Sequence, residues 1–397
     1  MSNHQATEQM IGYLYQVRYA LFLLLNNDDG ETQISIEKFD DVAFINDDNA
    51  EKMIQLKHHV NQRGDLSNAS TDIWRTINVW SDLIMKNEVC LDNTKFIIIT
   101  TAKAHKDTAA YYLKQVDNKD NRDFEKAFEI LEYISKTSKN KTHEKYYKNF
   151  KRLEEYTRKK LIEKIYIIDG SSNIINVEKD IRNMIKYSTL PKYEDRVCER
   201  LEGWWYKKSL EYLVSQSPVF INQNQLRAKI VEISSEYRDD NLPIDVPNFY
   251  EVNIDDLSED DKVFYEQLKL ISLGNERINM AISDYYRAFK QRANWIREDL
   301  LFVNELDSYE DKLIDEWKRV FFRMKEDLED LEDEEVTEKL KMKKGKQLYN
   351  VIQDKDLRIR ERCSNAFVMR GSYHCLSNRG LLGWHIDFRE RLKELLK

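Results

Sequence analysis

Three residues in one short stretch have the types and spacing to do chemistry: Asp41, Gln55 and Lys57. Asp41 opens an apolar run, Val42-Ala43-Phe44-Ile45. A polar Asn/Asp turn follows, then a second run, Met53-Ile54-Gln55-Leu56-Lys57. Strand side chains alternate faces, so Gln55 and Lys57 share one side while Ile54 and Leu56 share the other. Paired as a hairpin, these runs bring an acid, an amide and an ammonium together at one edge of a sheet. Phosphodiester cleavage uses such a set: oxygen ligands for Mg²⁺, and a fixed cation near the scissile phosphate and its attacking water. Asp40 is the rival ligand, but strand parity sends it toward the core with Val42 and Phe44, which favours Asp41. Glu37 is the nearest further carboxylate. Lysine within an apolar strand must leave the sheet or find a partner, since a buried unpaired charge is costly.

The elements that must position these groups read as mixed α/β. Met10, Tyr13, Leu14, Val17, Leu21 and Leu24 recur at helical spacing, predicting a helix from Thr7 to Leu25 that Asn26 to Gly30 ends. Thr32 to Lys38 reads as a strand. Ile73, Ile77, Trp80 and Ile84 mark a second helix, with Ser70, Thr71 and Asp72 as capping candidates. Phe96 to Thr101 is a β-branched run and so a buried central strand. Charged helices follow over 120–160, then a strand at Ile165 to Gly170 and helices over 176–188 and 191–215. All four prolines lie between Pro191 and Pro247. The polar, proline-punctuated stretch after Arg238 sets a boundary near 240. Beyond 250 no strand is expected. Leu268, Ile271, Ile278, Ile282, Tyr285, Phe289 and Ile296 predict one long helix, and Phe321, Met324, Leu328 and Leu331 another packing stripe. The acid block from Glu326 to Glu335 reads as a solvated helix face.

The order helix, strand, Asp41 strand, Gln55-x-Lys57 strand, helix, strand resembles the core of the PD-(D/E)XK nuclease superfamily. Residues 9–105 look like the endonuclease domain of bacterial anti-phage effectors, including the DNA-cutting effector of cyclic-oligonucleotide (CBASS) operons. Gly12-Tyr13-Leu14-Tyr15-Gln16, Glu37-x-x-Asp40-Asp41 and Gln55-Leu56-Lys57 carry the likeness. With Met369-Arg370-Gly371-Ser372-Tyr373 and Gly383-Trp384-His385, the whole chain is similar to the A subunit of Lamassu. That is an ABC-three-component system pairing such an effector with an SMC-like ATPase and an accessory subunit.

The resemblance implies a restriction-endonuclease-like α/β domain over 1–240, a central mixed sheet flanked by helices. An all-α domain for partner binding and oligomerisation follows over 241–397. It implies Mg²⁺ or Mn²⁺ held by Asp41, Gln55 and Glu37, Lys57 as the catalytic cation, and double-stranded DNA as substrate. Gln16 resembles the glutamate or glutamine that reaches the same site in related nucleases. Gln55 departs from the usual acid, so it brings an oxygen ligand without negative charge. The active form is expected to be a homo-oligomer, because one site cuts one strand. His58 and His59 extend the strand beyond Lys57, where one of them could contact a DNA phosphate or water. Arg63 and Lys103, with His105 and Lys106, could rim a DNA backbone.

Composition narrows the function classes. The 397 residues carry a net charge of −8, so nucleic-acid contact must come from a local patch. The start, MSNHQATEQ, shows no basic leader, and Leu21 to Leu25 is too short to cross a bilayer; a cytoplasmic protein is expected. Cys90, Cys198, Cys363 and Cys375 form no Cys-x-x-Cys pair and read as reduced thiols. Cys363, His374, Cys375 and His385 fit no common zinc spacing and read as core residues. Trp204, Trp205 and Tyr206 read as helix-packing core. With no Gly-x-x-x-x-Gly-Lys-Ser/Thr loop and no nucleophile-elbow serine, neither ATP hydrolysis nor serine chemistry is expected.

Overall fold

The apolar runs of the N-terminal half become six strands: β1 (Gln33–Ile36), β2 (Val42–Asn46), β3 (Asn49–Lys57), β4 (Lys95–Thr100), β5 (Ile165–Ile168) and β6 (Ile221–Asn222). They form one mixed sheet in the order β5-β4-β3-β2-β1-β6. The computed structural model describes residues 3–46, 49–58, 66–115, 120–215, 220–249 and 262–395. The chain divides into two compact units, Met1–Ser234 and Ser235–Lys397.

In the first unit β2 and β3 pair antiparallel, with Val42 opposite Ile54. The β3–β4 and β4–β5 pairs are parallel, with Gln55 opposite Ile98 and Lys57 opposite Thr100. Parallel strands need a crossover, here α2 (Thr71–Met85) between β3 and β4. Further helices are α1 (Asn3–Leu25), α3 (Ala109–Tyr112), α4 (Phe124–Thr137), α5 (Glu144–Arg152), α6 (Glu155–Glu163), α7 (Ile174–Ile185), α8 (Glu194–Val214) and α9 (Gln223–Glu236). One sheet face is sealed by Met53, Phe96, Ile98 and Ile167 against Trp74 and Trp80 of α2, Leu131 of α4, Phe150 of α5 and Leu161 of α6. Helix α1 packs with α7 and α8 as a second layer.

Three expectations need correction here. β2 and β3 are interior strands, so Asp41, Gln55 and Lys57 lie at the ends of central strands and not at a sheet edge. The first helix buries only the later part of the expected stripe. Leu21 and Leu24 turn inward together with Tyr15 and Tyr19, whereas Met10, Tyr13 and Leu14 are exposed. Aromatic residues carrying a hydroxyl replaced the aliphatic ones at the inward positions, which blurred the pattern. The Trp204-Trp205-Tyr206 stripe is core only at Trp205, whose Nε1 donates to the Val17 carbonyl at 2.7 Å; Tyr206 is exposed.

The second unit is helical, with α10 (Lys262–Leu270), α11 (Asn275–Arg297), α12 (Glu305–Glu329), α13 (Glu338–Gln353), α14 (Ala366–Asn378) and α15 (Phe388–Leu395). Helices α11 and α14 cross closely because position 371 is glycine: a Cβ there would lie 2.0 Å from the Asp284 carbonyl oxygen. The expected long helix is two helices. The chain breaks at 271–274, where Ser272 takes φ 50° and Gly274 caps α11. Phe289 and Ile296 point to solvent. The acid block is not one helix face either, because α12 ends at Glu329 and 330–335 lie in the turn after it. Among the described residues no helix is long and apolar enough to cross a membrane.

Candidate functional site

The sheet topology gathers the expected residues at one end. β1, β3, β4 and β5 finish there, and β2 starts there, since it runs antiparallel to β1 and β3. In open α/β sheets this carboxyl end of the strands is where ligands bind. Glu37 follows β1, Asp41 precedes β2, Lys57 ends β3, and Lys103 follows β4.

The turn from Glu37 to Asp41 is tight. Glu37 adopts φ 58°, and its N–H donates to the Asp41 carbonyl at 3.1 Å. A left-handed backbone at a glutamate costs energy that local contacts must offset. Within the turn the two aspartates part. Asp40 accepts from Trp80 Nε1 at 2.6 Å and from the Asp41 N–H at 3.0 Å, so its carboxylate is turned toward α2. Asp41 Oδ2 accepts from the Leu56 N–H at 2.7 Å, which pins it across β3. The β2–β3 register, continued by one residue, sets Asp41 opposite Gln55.

Around Asp41 the side chains of Gln55, Gln16 and Lys57 converge. Burial pushes the Asp41 carboxyl above its ordinary range, against the pull of the Lys57 ammonium and of hydrogen bonds from the Leu56 N–H, Gln55 and Gln16. Partial burial also raises Glu37; the Asp41 charge adds to this, and Lys57 opposes it. Asp40 is pushed up to about 7, first by burial and then by Asp41, against Trp80, its backbone bond and Lys57. Three carboxylates thus crowd around one ammonium.

Residues beyond strand β3 are less uniform. His58 packs against Tyr15 of α1 with tilted rings, their centroids 4.6 Å apart, so it is half-buried and not a free surface group. Lys103 is exposed beside Gly170, at the joined ends of β4 and β5. The expected His59 and Arg63 lie outside the described residues. One element of the site was missed in the sequence. The Tyr15 hydroxyl donates to the Ser172 carbonyl at 2.9 Å, and Ser172 Oγ donates to Asp180 Oδ2 at 2.7 Å. This ties α1, and with it Gln16, over the strand ends. The signal for it was Tyr15 itself, a hydroxyl-bearing residue on an inward helix position, which needs a polar partner.

The donor set consists of two carboxylates, Asp41 and Glu37, and the amides of Gln55 and Gln16. Among the described residues no group of three or more His, Cys, Asp or Glu side chains is placed to hold a metal ion. The set still suits Mg²⁺, which takes one or two carboxylates and keeps several waters. Two acids pushed up by burial, Glu37 also by the Asp41 charge, are the groups a divalent cation would relieve.

Residues 264–392 match the family model of C-terminal domain 7 of the ABC-three component (ABC-3C) systems. The match supports ABC-3C membership. It spans α11 to α14 whole, with parts of α10 and α15, and so falls within the helical unit. A domain of this family is consistent with a component of a multi-subunit defence system. No curated protein and no solved structure matches the chain.

Proposed function

We propose that this chain is a metal-dependent DNA endonuclease, the effector subunit of an ABC-3C defence complex of the Lamassu kind. The observation that carries the reading is the convergence of Gln16, Glu37, Asp41, Gln55 and Lys57 at the end of the two central strands. Asp41 and Glu37 would hold Mg²⁺ or Mn²⁺ through their carboxylates, with Gln55 through its amide oxygen. The ion would supply Lewis-acid charge at the scissile phosphate. Lys57, fixed by its strand, stabilises the charge that develops on the pentavalent phosphorus and orients the attacking water. Gln16, brought in by α1, holds Asp41 in place. Double-stranded DNA is the substrate in this reading. An SMC-like ATPase with an accessory subunit keeps the nuclease silent, and release allows a homo-oligomer that cuts both strands.

A second reading has its own support. Gln55 stands where an acid is usual, and no three-residue metal cluster occurs among the described residues. A degenerate nuclease fold that binds DNA or a partner without cutting is the alternative. Incubating plasmid with the purified chain, with and without Mg²⁺ or Mn²⁺, separates the two. The endonuclease reading expects nicking that needs the metal and disappears in Asp41→Ala. Stable DNA binding with no metal-dependent cleavage, alone or with the partner subunits removed, selects the adaptor.

A further inference from the structure

A ridge of uncompensated positive charge runs along α5. Residues 139–152 contain Lys139, Lys141, Lys145, Lys148, Lys151 and Arg152 against a single acid, Glu144, in a chain of net charge −8. All six cations are exposed. Lys148 pairs with Glu144 at 2.6 Å. The surrounding basic residues are used up in a way these are not. Lys136 and Arg158 bind Glu132, Lys159 binds Glu125, and Lys160 binds Asp92. Burial of Tyr147 and Phe150 on the inner face turns positions 145, 148, 151 and 152 outward as one stripe.

The ridge is held rigidly, and its start lies at the site end of the sheet. Helix α2 crosses between parallel strands, so its N-terminus sits where β3 ends. His143, buried just before α5, lies 2.9 Å from the Thr71 hydroxyl at that N-terminus. Asn149 Nδ2 donates to Asp82 Oδ1 at 2.6 Å and to Asn78 Oδ1 at 3.1 Å further along α2. These contacts set α5 parallel to α2, with Lys139, Lys141 and Lys145 toward the α2 N-terminus and Asn149 level with Trp80, which reaches Asp40 of the site turn. From Lys145 to Arg152 the helix rises about 10 Å, which spans about three phosphates of one strand of B-DNA.

We propose that this ridge is the phosphate-backbone track of the nuclease unit, gripping duplex DNA beside the site without reading sequence. The proposal rests on the endonuclease reading for its choice of duplex DNA over an acidic protein. Cations at helical spacing on a fixed frame suit a continuous polyanion, and each phosphate neutralised releases counterions.

The test is fluorescence anisotropy of the full-length protein on a labelled duplex in EDTA across a salt series. The five cations without a carboxylate partner are replaced together: Lys139→Gln, Lys141→Gln, Lys145→Gln, Lys151→Gln and Arg152→Gln. The expected result is a slope of log K against log salt smaller by about 4.5, at about 0.9 per phosphate contact. Affinity at low salt should fall at least about tenfold. Lys339→Gln with Lys343→Gln, on exposed positions of α13, should change neither. An unchanged slope in the five-fold variant overturns the ridge, and loss of an acidic partner protein by that variant would reassign it to protein docking. If wild type binds no duplex at all, both the ridge and the endonuclease reading fall. Binding with the predicted slope change but no metal-dependent cleavage keeps the ridge and removes the endonuclease.

Discussion

Two groups of acids, one in each unit, are held in opposite ways. In the helical unit burial pushes Glu305 and Glu310 up, but arginines outweigh it and hold both below the usual carboxylate range. Arg360 grips Glu305 through Nε at 2.7 Å and NH2 at 2.8 Å, and also donates to the Asn241 and Leu300 carbonyls. Glu310 is bound by both Arg292 and Arg379. At the strand ends of the N-terminal unit, Glu37, Asp40 and Asp41 are all held above their ordinary range, with Lys57 the cation that opposes each. Satisfied ion pairs are what a scaffold builds. Crowded carboxylates that destabilise one another persist where a ligand completes them. Burial alone does not make the difference, since it also raises Asp284 of the helical unit beside Arg287 and Arg370; the strand ends differ in bringing three carboxylates to one lysine.

Breaking a satisfied pair should have the largest effect. Arg360→Met leaves Glu305 buried without its partner and should cost about 3–5 kcal/mol, read as a lower denaturation midpoint of the helical unit. Loss of less than about 1 kcal/mol would mean that the pair is ornamental. Acid should act on the same unit. His374 is fully buried, neither ring nitrogen has a hydrogen-bond partner among the described residues, and burial lowers its pKa from 6.5 to about 3. The unfolded chain therefore binds the proton first. Stability is full above pH 6.5 and is lost as pH falls from there toward 3, by several kcal/mol at about 1.4 kcal/mol per pKa unit. His374→Phe should flatten that acid limb of the pH–stability curve; an unaltered limb would assign it to other groups.

At the strand ends the sign should reverse. Asp41→Asn keeps an oxygen for the Leu56 N–H and removes one of the crowded charges, so stability should hold or rise by up to about 1 kcal/mol while cleavage is lost. A marked fall in melting temperature would show that Asp41 is structural. The smallest change is Gln55→Glu. If the amide oxygen is a metal ligand, the acid should retain or raise cleavage and lower the Mg²⁺ concentration required. Lost activity would assign the role to the amide NH₂ that reaches Asp41.

Much of this contrast was legible in the chain, and its gaps have physical causes. The Asp41 and Gln55-x-Lys57 strands could be read because local alternation puts Gln55 and Lys57 on one face, and the hairpin register brings Asp41 to it. Parity did not place Asp40: it lies in the turn before β2 and turns to Trp80, which packs with Met53 on the Ala43 face and not the Val42 face. The place of those strands in the sheet was not legible. β3 is central only because β4 joins it from far along the chain, and such pairings leave no local mark. The two-residue β6 is too short for any period to show. The break at 271–274 hid inside an unbroken apolar spacing, since Ile271 and Leu273 are buried in the turn as well as they would be in a helix. Tyr15 was missed because its bond to Ser172 spans 157 residues of sequence.

The central claim is that Lys57 and the carboxylates around it form a phosphodiesterase site. The direct measurement is metal-dependent plasmid cleavage by Lys57→Ala beside wild type, on protein whose circular dichroism and melting temperature are unchanged. Lys57 is half-buried at a strand end, so the fold should survive its loss. Removing transition-state charge stabilisation should lower the rate by at least about 10²-fold, while DNA binding in EDTA stays within about twofold. A folded Lys57→Ala protein that cuts at the wild-type rate would contradict the account.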